Sequence, residues 1–216
     1  MNHTRISGEQ YKIQTTKTAT LDEVRLTKIV DEIKDLYIWF APESTNDTIR
    51  ARLLQHSQAC IDVLTSASSE KCVGFSVYYT DVIGGSRVMF RGGTIVKDRS
   101  RGLYKALLQK AISAEKPDFV VAMTQNPRVY ETLRSFSPSG IAYPSEGRIL
   151  PTELKNVVTA FCKVPGFSFD TMVIPGIYDS IRKDYDFKTA TDPLVEKFFR
   201  ETLRENDGFF VIVPLF

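Results

Sequence analysis

The residues most able to do chemistry lie in the stretch Gly92–Ile112, which reads GGTIVKDRSRGLYKALLQKAI. The β-branched run Thr94–Val96 predicts a strand that ends in a polar turn, and a helix with regularly spaced apolar residues begins after Gly102. Backbone N–H groups at such a helix start converge on one place, and the helix dipole adds positive charge there. The turn also carries three cations, Lys97, Arg99 and Arg101. These features predict a site for phosphate groups.

The same residues have a simpler interpretation as a solvated basic loop. Each cation at a helix N-terminus is unfavourable with the dipole by about 0.3–1 kcal/mol, so three of them favour a bound anion. The adjacent glycines Gly92 and Gly93 suit either a β-bulge that a ligand approaches closely or a bend without a ligand.

The elements around this turn predict a mixed sheet with helices on both faces. A capping-box pattern at Thr20–Glu23 begins a first helix, and Ser44–Asp47 begins a shorter second one. Three strand-like runs follow, at Ala59–Leu64, Lys71–Tyr79 and Arg87–Val96. The glycine pair between the last two predicts a hairpin. After the turn and its helix, the sequence predicts a buried strand at Asp118–Met123 and a helix that begins at Asn126-Pro127.

Residues 137–216 are less regular but rich in aromatic residues, which predicts folding rather than disorder. Pro151 begins one predicted helix. Asp192-Pro193 begins another, with Asp192 as N-cap, and Gly208 ends it before a terminal strand at Phe209–Val213. This part could supply the last strands, shape an acceptor pocket or form a homodimer surface.

Composition is that of an ordinary globular protein. The 216 residues are 43% hydrophobic and 25% charged, with a net charge of +2, which argues against nucleic acid or an anionic membrane as partner. No leader and no membrane-spanning run is apparent in the sequence. Three widely spaced cysteines predict no disulfide framework and favour a reducing cytoplasm. Two histidines without a cluster make a metal site improbable.

The stretch Gly92–Ile112 resembles motif A of the GNAT superfamily of N-acetyltransferases, in which a strand, the pattern [Arg/Gln]-x-x-Gly-x-[Gly/Ala] and a helix hold the pyrophosphate of coenzyme A. Arg99-Ser-Arg-Gly102-Leu-Tyr104 fits the pattern, although Tyr104 stands where a small residue is usual and the usual proline before the turn is missing. A second register begins at Arg101. The first is preferred because it places Leu107 and Leu108 where the family has paired leucines. The resemblance covers about residues 20–136.

The resemblance implies an α/β fold (an α+β mixed sheet), a GNAT-like acyl-CoA N-acyltransferase fold with an extended C-terminal segment. It implies a core at residues 1–136, with residues 137–216 completing the sheet and the acceptor side as part of the same domain. It implies acetyl-CoA as co-substrate, with pantetheine pairing on the Gly92–Gly93 strand. The implied CoA-binding residues are Thr94, Ile95, Val96, Arg99, Ser100, Arg101, Gly102, Leu103, Tyr104 and Asn126.

In many family members a tyrosine on the helix after the fifth strand acts as general acid, and Tyr130 is the candidate here; the alternative is packing with its hydroxyl bonded locally. The family's acidic base on the hairpin strand has no counterpart, since no Asp or Glu occurs between Asp81 and Asp98. Either water takes the proton, or another element supplies the base, or the protein does not acetylate amines. Arg87, Met89 and Arg91 alternate onto one face of this strand. The two arginines would favour an anionic acceptor if that face borders the site, and the alternative is a solvated sheet face.

Three functions stay open. The first is acetyl-CoA-dependent transfer of an acetyl group to a small-molecule or peptide amine by direct attack on the thioester. The second is a non-catalytic acyl-CoA-binding or regulatory module with the same fold. The third is a phosphate-sensing α/β domain for nucleotides, which is disfavoured because the chain has neither a Walker A motif nor GxGxxG.

Overall fold

The computed structural model describes residues 2–6, 8–97, 102–145, 147–178 and 190–216. The chain forms two compact units. Unit 1 consists of residues 1–80 and 91–116, and unit 2 of residues 81–90 and 117–216. The predicted division at residues 136 and 137 stays a prediction.

Unit 1 is built on strands in the order β1-β2-β3-β4-β5. The strands are β1 (Asn2–Ile6), β2 (Glu9–Lys17), β3 (Cys60–Ser66), β4 (Cys72–Ile83) and β5 (Ser86–Val96). The pairs β1–β2, β2–β3 and β3–β4 are antiparallel, with a register shift between Leu64 and Thr65. The last residues of β4 and the first residues of β5 belong to unit 2 and meet at Gly84-Gly85, where both glycines have positive φ. The three predicted strand runs and their hairpin are thus confirmed.

Helices cover both faces of the sheet in unit 1. The helices are α1 (Glu23–Phe40), α2 (Asn46–Leu53) and α3 (Leu103–Glu115). Val63 of β3 packs in the core under α1 and α2, whereas its neighbour Leu64 packs with Leu103 and Leu107 of α3. Adjacent residues of a strand point to opposite faces, so the two cores lie on opposite sides of the sheet.

The first two helices of unit 1 begin close to the predicted positions, but the residues that cap them are not always the predicted ones. α1 is capped by Asp22, whose carboxylate accepts from the N–H of Arg25, so the predicted capping box at Thr20 is wrong. Thr20 instead ends a short 3₁₀ helix. α2 does have a capping box, formed by Thr45 and Thr48. The cap acceptor is Asp22, which stands directly before Glu23 and which the Thr20-x-x-Glu23 pattern overlooked.

A buried ion pair fixes α3 on the sheet. Asp62 of β3 is fully buried, and Nζ of Lys110 lies 2.6 Å from its Oδ1. The hydroxyl of Thr15 donates to the same oxygen at 2.7 Å, and Lys110 also donates to that hydroxyl. Oδ2 of Asp62 has no partner among the residues that the structure describes.

Unit 2 contains strands in the order β5-β6-β8-β7. They are β6 (Phe119–Thr124), β7 (Val173–Ile174) and β8 (Gly208–Pro214), and β8 pairs antiparallel with both β6 and β7. Every residue of β8 is buried, so residues 137–216 supply the last strands of the sheet. The helices are α4 (Pro127–Arg134), α5 (Lys155–Phe161) and α6 (Pro193–Thr202).

The cap of α6 ties it to α4. Asp192 caps α6 as predicted, and its Oδ2 lies 3.0 Å from Nη2 of Arg134 in α4. The carboxylate of Glu131 accepts from the backbone N–H groups of Thr191 and Asp192. α6 ends at Thr202, before the predicted stop at Gly208, because the backbone returns to an extended conformation at Leu203. The predicted mixed sheet with helices is confirmed.

Candidate functional site

The predicted phosphate site is the connection from β5 to α3. The N–H of Lys97 still donates to the carbonyl of Val73 at 2.8 Å, so sheet pairing extends one residue beyond β5. Arg99, Ser100 and Arg101 lie outside the described residues. The description resumes at Gly102, the N-cap of α3, which has a φ of 73°. A left-handed conformation there favours glycine over any residue with a Cβ.

The start of α3 lacks the side-chain cap found at most helix starts of the described chain; α5 also lacks one, but it continues directly from a 3₁₀ helix. Side chains cap α1, α2, α4 and α6. Gly102 has no side chain to do so, and the first turn of α3 has no acidic residue. No atom lies within 4 Å of the place that a Cβ at Gly102 would take. The positive end of the helix dipole is therefore left without a side-chain cap, as an anion site requires.

β5 is bulged at its glycine pair. A Cβ on Gly92 would lie 3.6 Å from Oε1 of Gln55, and a Cβ on Gly93 would lie 3.5 Å from Nη2 of Arg52. Arg52 lies in the last turn of α2 and Gln55 just beyond the end of that helix, yet adjacent residues of a regular strand point to opposite faces. Two consecutive residues that face α2 indicate a β-bulge, which is the first of the two predicted interpretations.

Arg52 is a residue that the sequence reasoning missed. Its Nη2 donates to the carbonyl oxygen of Gly92, so α2 holds the bulged backbone in place. A side chain on Gly93 would touch the same guanidinium group. An arginine in the last turn of an amphipathic helix gives no local signal of such a contact, because the partner lies 40 residues away in the chain.

The side chains of Thr94, Ile95 and Val96 are committed to the fold. The hydroxyl groups of Thr94 and Ser76 lie 2.8 Å apart. Ile95 packs in the core under α1 and α2, and Val96 packs against the core on the α3 side. Leu103 is buried in that second core. Ile95 and Leu103 are buried and can contact a ligand only through the backbone, whereas Thr94 and Val96 are partly exposed.

Tyr104 and Arg91 form an unusual pair beside the bulge. Cζ of Arg91 lies 5.5 Å from the centre of the Tyr104 ring, a cation–π contact. The hydroxyl of Tyr104 and Nε of Arg91 are both buried, and no described residue gives either atom a hydrogen-bond partner. Burial raises the pKa of Tyr104, and the Arg91 cation opposes this shift, so the hydroxyl is a neutral donor at physiological pH. Arg91 faces α3, whereas Arg87 is an exposed residue of unit 2.

The two remaining predicted residues, Asn126 and Tyr130, belong to unit 2. Oδ1 of Asn126 caps α4 by accepting from the N–H groups of Arg128 and Val129. Tyr130 is 1% exposed, and its hydroxyl donates to the carbonyl of Pro144 at 2.7 Å. Burial raises its pKa to about 12. This geometry supports the packing role that the sequence left open for Tyr130.

A groove of about 920 Å³ lies in unit 1 between α1 and the sheet. Lys97 lines it, and so do three other lysines and three carboxylates. Because lysines and carboxylates both line the groove, it does not favour an anionic ligand as clearly as the start of α3, whose first turn has no acidic residue.

The described residues contain no group of three or more His, Cys, Asp or Glu side chains that could hold a metal ion. None of their helices combines the length and apolarity needed to cross a membrane. All three cysteines are free thiols.

No protein-family model and no curated protein matches this chain. Among solved structures it is similar to the GCN5-related glucosamine N-acetyltransferase region of a fungal multi-domain β-N-acetylglucosaminidase, at 15% identity and a TM-score of 0.41. That match covers 53% of this chain and only 13% of the fungal protein. A GNAT family acetyltransferase from Staphylococcus aureus matches at 16% identity over 48% of this chain and 78% of its own, with a TM-score of 0.37.

A ribosomal-protein-alanine N-acetyltransferase from Brucella melitensis matches at 20% identity over 65% of this chain and 98% of its own, with a TM-score of 0.40. The structural resemblance is therefore to GNAT acetyltransferases, the superfamily that the stretch Gly92–Ile112 resembles in sequence. At TM-scores below 0.5 it assigns no activity, and an activity has to follow from the chain's own residues.

Proposed function

We propose that this chain is a coenzyme A-dependent N-acyltransferase that binds its acyl-CoA at the connection from β5 to α3. The observation that carries the proposal is the combination of an uncapped helix start at Gly102 with a bulged strand at Gly92–Gly93 directly before it. The first feature suits a pyrophosphate, and the second interrupts the regular strand, so that backbone groups other than the Gly92 carbonyl, which accepts from Arg52, can pair with the amide groups of pantetheine.

In the reaction, the amine nitrogen attacks the thioester carbon, the C–N bond forms and the C–S bond breaks. Backbone N–H groups near Thr94–Val96 would polarise the carbonyl, because the side chains there are used in packing. The amine's proton leaves through water or a group of another element, since β5 carries no carboxylate. Acetyl-CoA is the simplest donor, and the acceptor is a small-molecule or peptide amine. A reducing cytoplasm suits the three free thiols.

Thermal unfolding with CoA, acetyl-CoA and ATP tests the binding step. A ligand at 100 times its dissociation constant adds about 2.7 kcal/mol, which corresponds to a rise of roughly 5–10 °C for a chain of this size. We expect this rise with both CoA species and a smaller one with ATP. No rise with either CoA species would refute the proposal.

Gly102→Ala and Arg99→Ala should remove most of the rise with CoA. The matched control is Gly140→Ala, because Gly140 has a φ of 68° and, like Gly102, no atom near its Cβ position. Both glycine variants are strained to a similar degree, but only Gly102→Ala should weaken CoA binding. Equal weakening by Gly140→Ala would trace the loss to strain alone.

A non-catalytic acyl-CoA-binding module is the second candidate, favoured by Tyr104 in the small-residue position and by the lack of a carboxylate on β5. Release of free CoA thiol from acetyl-CoA across a panel of amines separates the two. Binding without thiol release above the rate without protein would favour the module.

A further inference from the structure

Arg91 and Tyr104 present two buried donors that the fold itself leaves unused. The Nε of Arg91 and the hydroxyl of Tyr104 each lack a partner among the described residues, although buried polar groups in proteins are nearly always bonded. The guanidinium lies against the tyrosine ring, so the two orphan groups belong to one cluster. Two such groups on side chains that contact each other suggest a ligand that accepts from both.

The two donor groups favour a ligand with a negatively charged hydrogen-bond acceptor. A guanidinium offers a permanent positive charge and N–H donors, and the tyrosine hydroxyl adds a neutral O–H donor. None of the described carboxylates forms an ion pair with Arg91, in contrast to Arg134 with Asp192 or Lys110 with Asp62. A carboxylate matches this donor set because it accepts charge-assisted hydrogen bonds without donating any.

The cluster of Arg91 and Tyr104 lies where the acyl group of a bound CoA thioester would end. Arg91 directly precedes the bulged pair Gly92–Gly93 and lies three residues, or about 10 Å of strand, before Thr94. If pyrophosphate binds at α3 and pantetheine runs back along β5, the thioester points towards Arg91. The far end of a short acyl chain would then reach the cluster.

We infer that Arg91 and Tyr104 bind a terminal carboxylate on the acyl group, so that the preferred donor is the CoA thioester of a short dicarboxylic acid rather than acetyl-CoA. The inference rests on the proposed function and changes only the acyl group transferred. The bonds formed and broken are the same, and the distal carboxylate stays intact.

The test compares the affinities of the full-length protein for succinyl-CoA, acetyl-CoA and CoA by calorimetry. We expect succinyl-CoA to bind at least tenfold more tightly than acetyl-CoA. In Tyr104→Phe and Arg91→Met this preference should fall to about twofold or less, and in Arg91→Met the affinities for CoA and acetyl-CoA should stay within twofold of the parent protein. Arg87→Met, an arginine variant on the same strand, should keep the preference.

Three results would overturn the inference. The first is equal affinity for succinyl-CoA and acetyl-CoA in the parent protein, which leaves the proposed function standing because both still bind. The second is an unchanged preference in Tyr104→Phe. The third is a marked drop in the melting temperature of ligand-free Tyr104→Phe, since it would mean that ordered water already satisfies the hydroxyl. Failure of all CoA species to bind would instead refute the proposed function.

Discussion

The hydroxyl of Tyr130 stabilises the fold, and this leaves little room for a catalytic role. Tyr130→Phe removes a buried hydrogen bond of 2.7 Å and leaves the carbonyl of Pro144 without its donor. We expect a loss of about 1–3 kcal/mol in the free energy of unfolding, measured by urea denaturation at pH 7. The rate of acyl transfer at saturating substrate should change by less than twofold. A fall of about a hundredfold or more would instead identify Tyr130 as the general acid.

The alkaline side of the stability curve gives a second check on Tyr130. Burial raises its pKa from 10.0 to about 12, while Arg134 and Arg148 oppose the shift. Between pH 10 and pH 12 the unfolded chain releases this proton and the folded chain keeps it, so stability falls as pH rises. Tyr130→Phe lacks this contribution, and its stability should decline less steeply above pH 10 than that of the parent protein.

The ion pair of Asp62 and Lys110 should be important for stability. The carboxylate is fully buried, and Lys110 is the cation that neutralises its charge. Lys110→Met leaves the charge without its partner and should cost about 3–5 kcal/mol of unfolding free energy. Lys28→Met is the control, since Lys28 is an exposed lysine on α1 and should change stability by no more than about 0.5 kcal/mol.

The double variant Asp62→Leu with Lys110→Met separates charge from packing. It removes both ions, so much of the loss seen in Lys110→Met should return. A double variant that is less stable than Lys110→Met alone would show that the aliphatic stem of Lys110, rather than the ion pair, holds α3 on the sheet.

At the scale of elements, the ion pair between Arg134 of α4 and Asp192 at the start of α6 should make the stability of α6 depend on pH in the acidic range. The hydrogen bond from Arg134 lowers the pKa of Asp192 below its usual value, and the N–H of Leu194 acts in the same direction. A lowered pKa means that the stabilisation is present above the unfolded value of about 4 and is lost as pH falls through the folded value. Acidification below pH 4 should therefore loosen α6.

Asp192→Asn and Asp192→Ala distinguish the two contributions of this residue. Asparagine keeps the cap of α6 but loses the ion pair with Arg134, so its stability should respond less to acid. Alanine loses both and should melt at the lower temperature. Equal melting of the two variants would show that the side chain of residue 192 does not cap α6 in solution.

The sequence patterns predicted the strands and helices of unit 1 more accurately than they predicted the side-chain contacts between them. Period-two and helical spacing located β3, β4, β5 and α3, because those patterns record which residues are buried. The bulge at Gly92–Gly93 could also be predicted as one of two interpretations, because adjacent glycines in a strand indicate either a bulge or a bend. The contact of Arg52 with Gly92 and the pair Arg91–Tyr104 were not, because each joins residues far apart in the chain.

At the scale of the whole molecule, the last 80 residues were the least predictable part. β7 is only two residues long, and its hydrogen bonds to β8 rather than its composition define it. The continuous apolar run of β8 did predict a strand, but nothing in that run specifies β6 as its neighbour. Long-range pairing is set by the packing of the assembled unit, which a local pattern does not record.

The three free thiols allow a test of the whole fold that also prepares the activity assay. Burial raises the pKa of Cys60 and Cys162, and it raises that of Cys72 to about 11. At pH 8 a thiol with a pKa near 11 carries about a hundredfold less thiolate than free cysteine, so a disulfide reagent should modify the native protein correspondingly slowly. In guanidinium chloride all three thiols should react at the rate of free cysteine.

This protection makes release of CoA thiol measurable against a low background from the protein itself. Cys72 is the most exposed of the three, and its thiol donates to the carbonyl of Gly74. Cys72→Ser should therefore remove the largest part of any slow native reaction. Rapid reaction of more than one thiol in the native protein would mean that the cores around Cys60 and Cys162 open under native conditions, and the buried contacts argued for both units would then not describe the folded state.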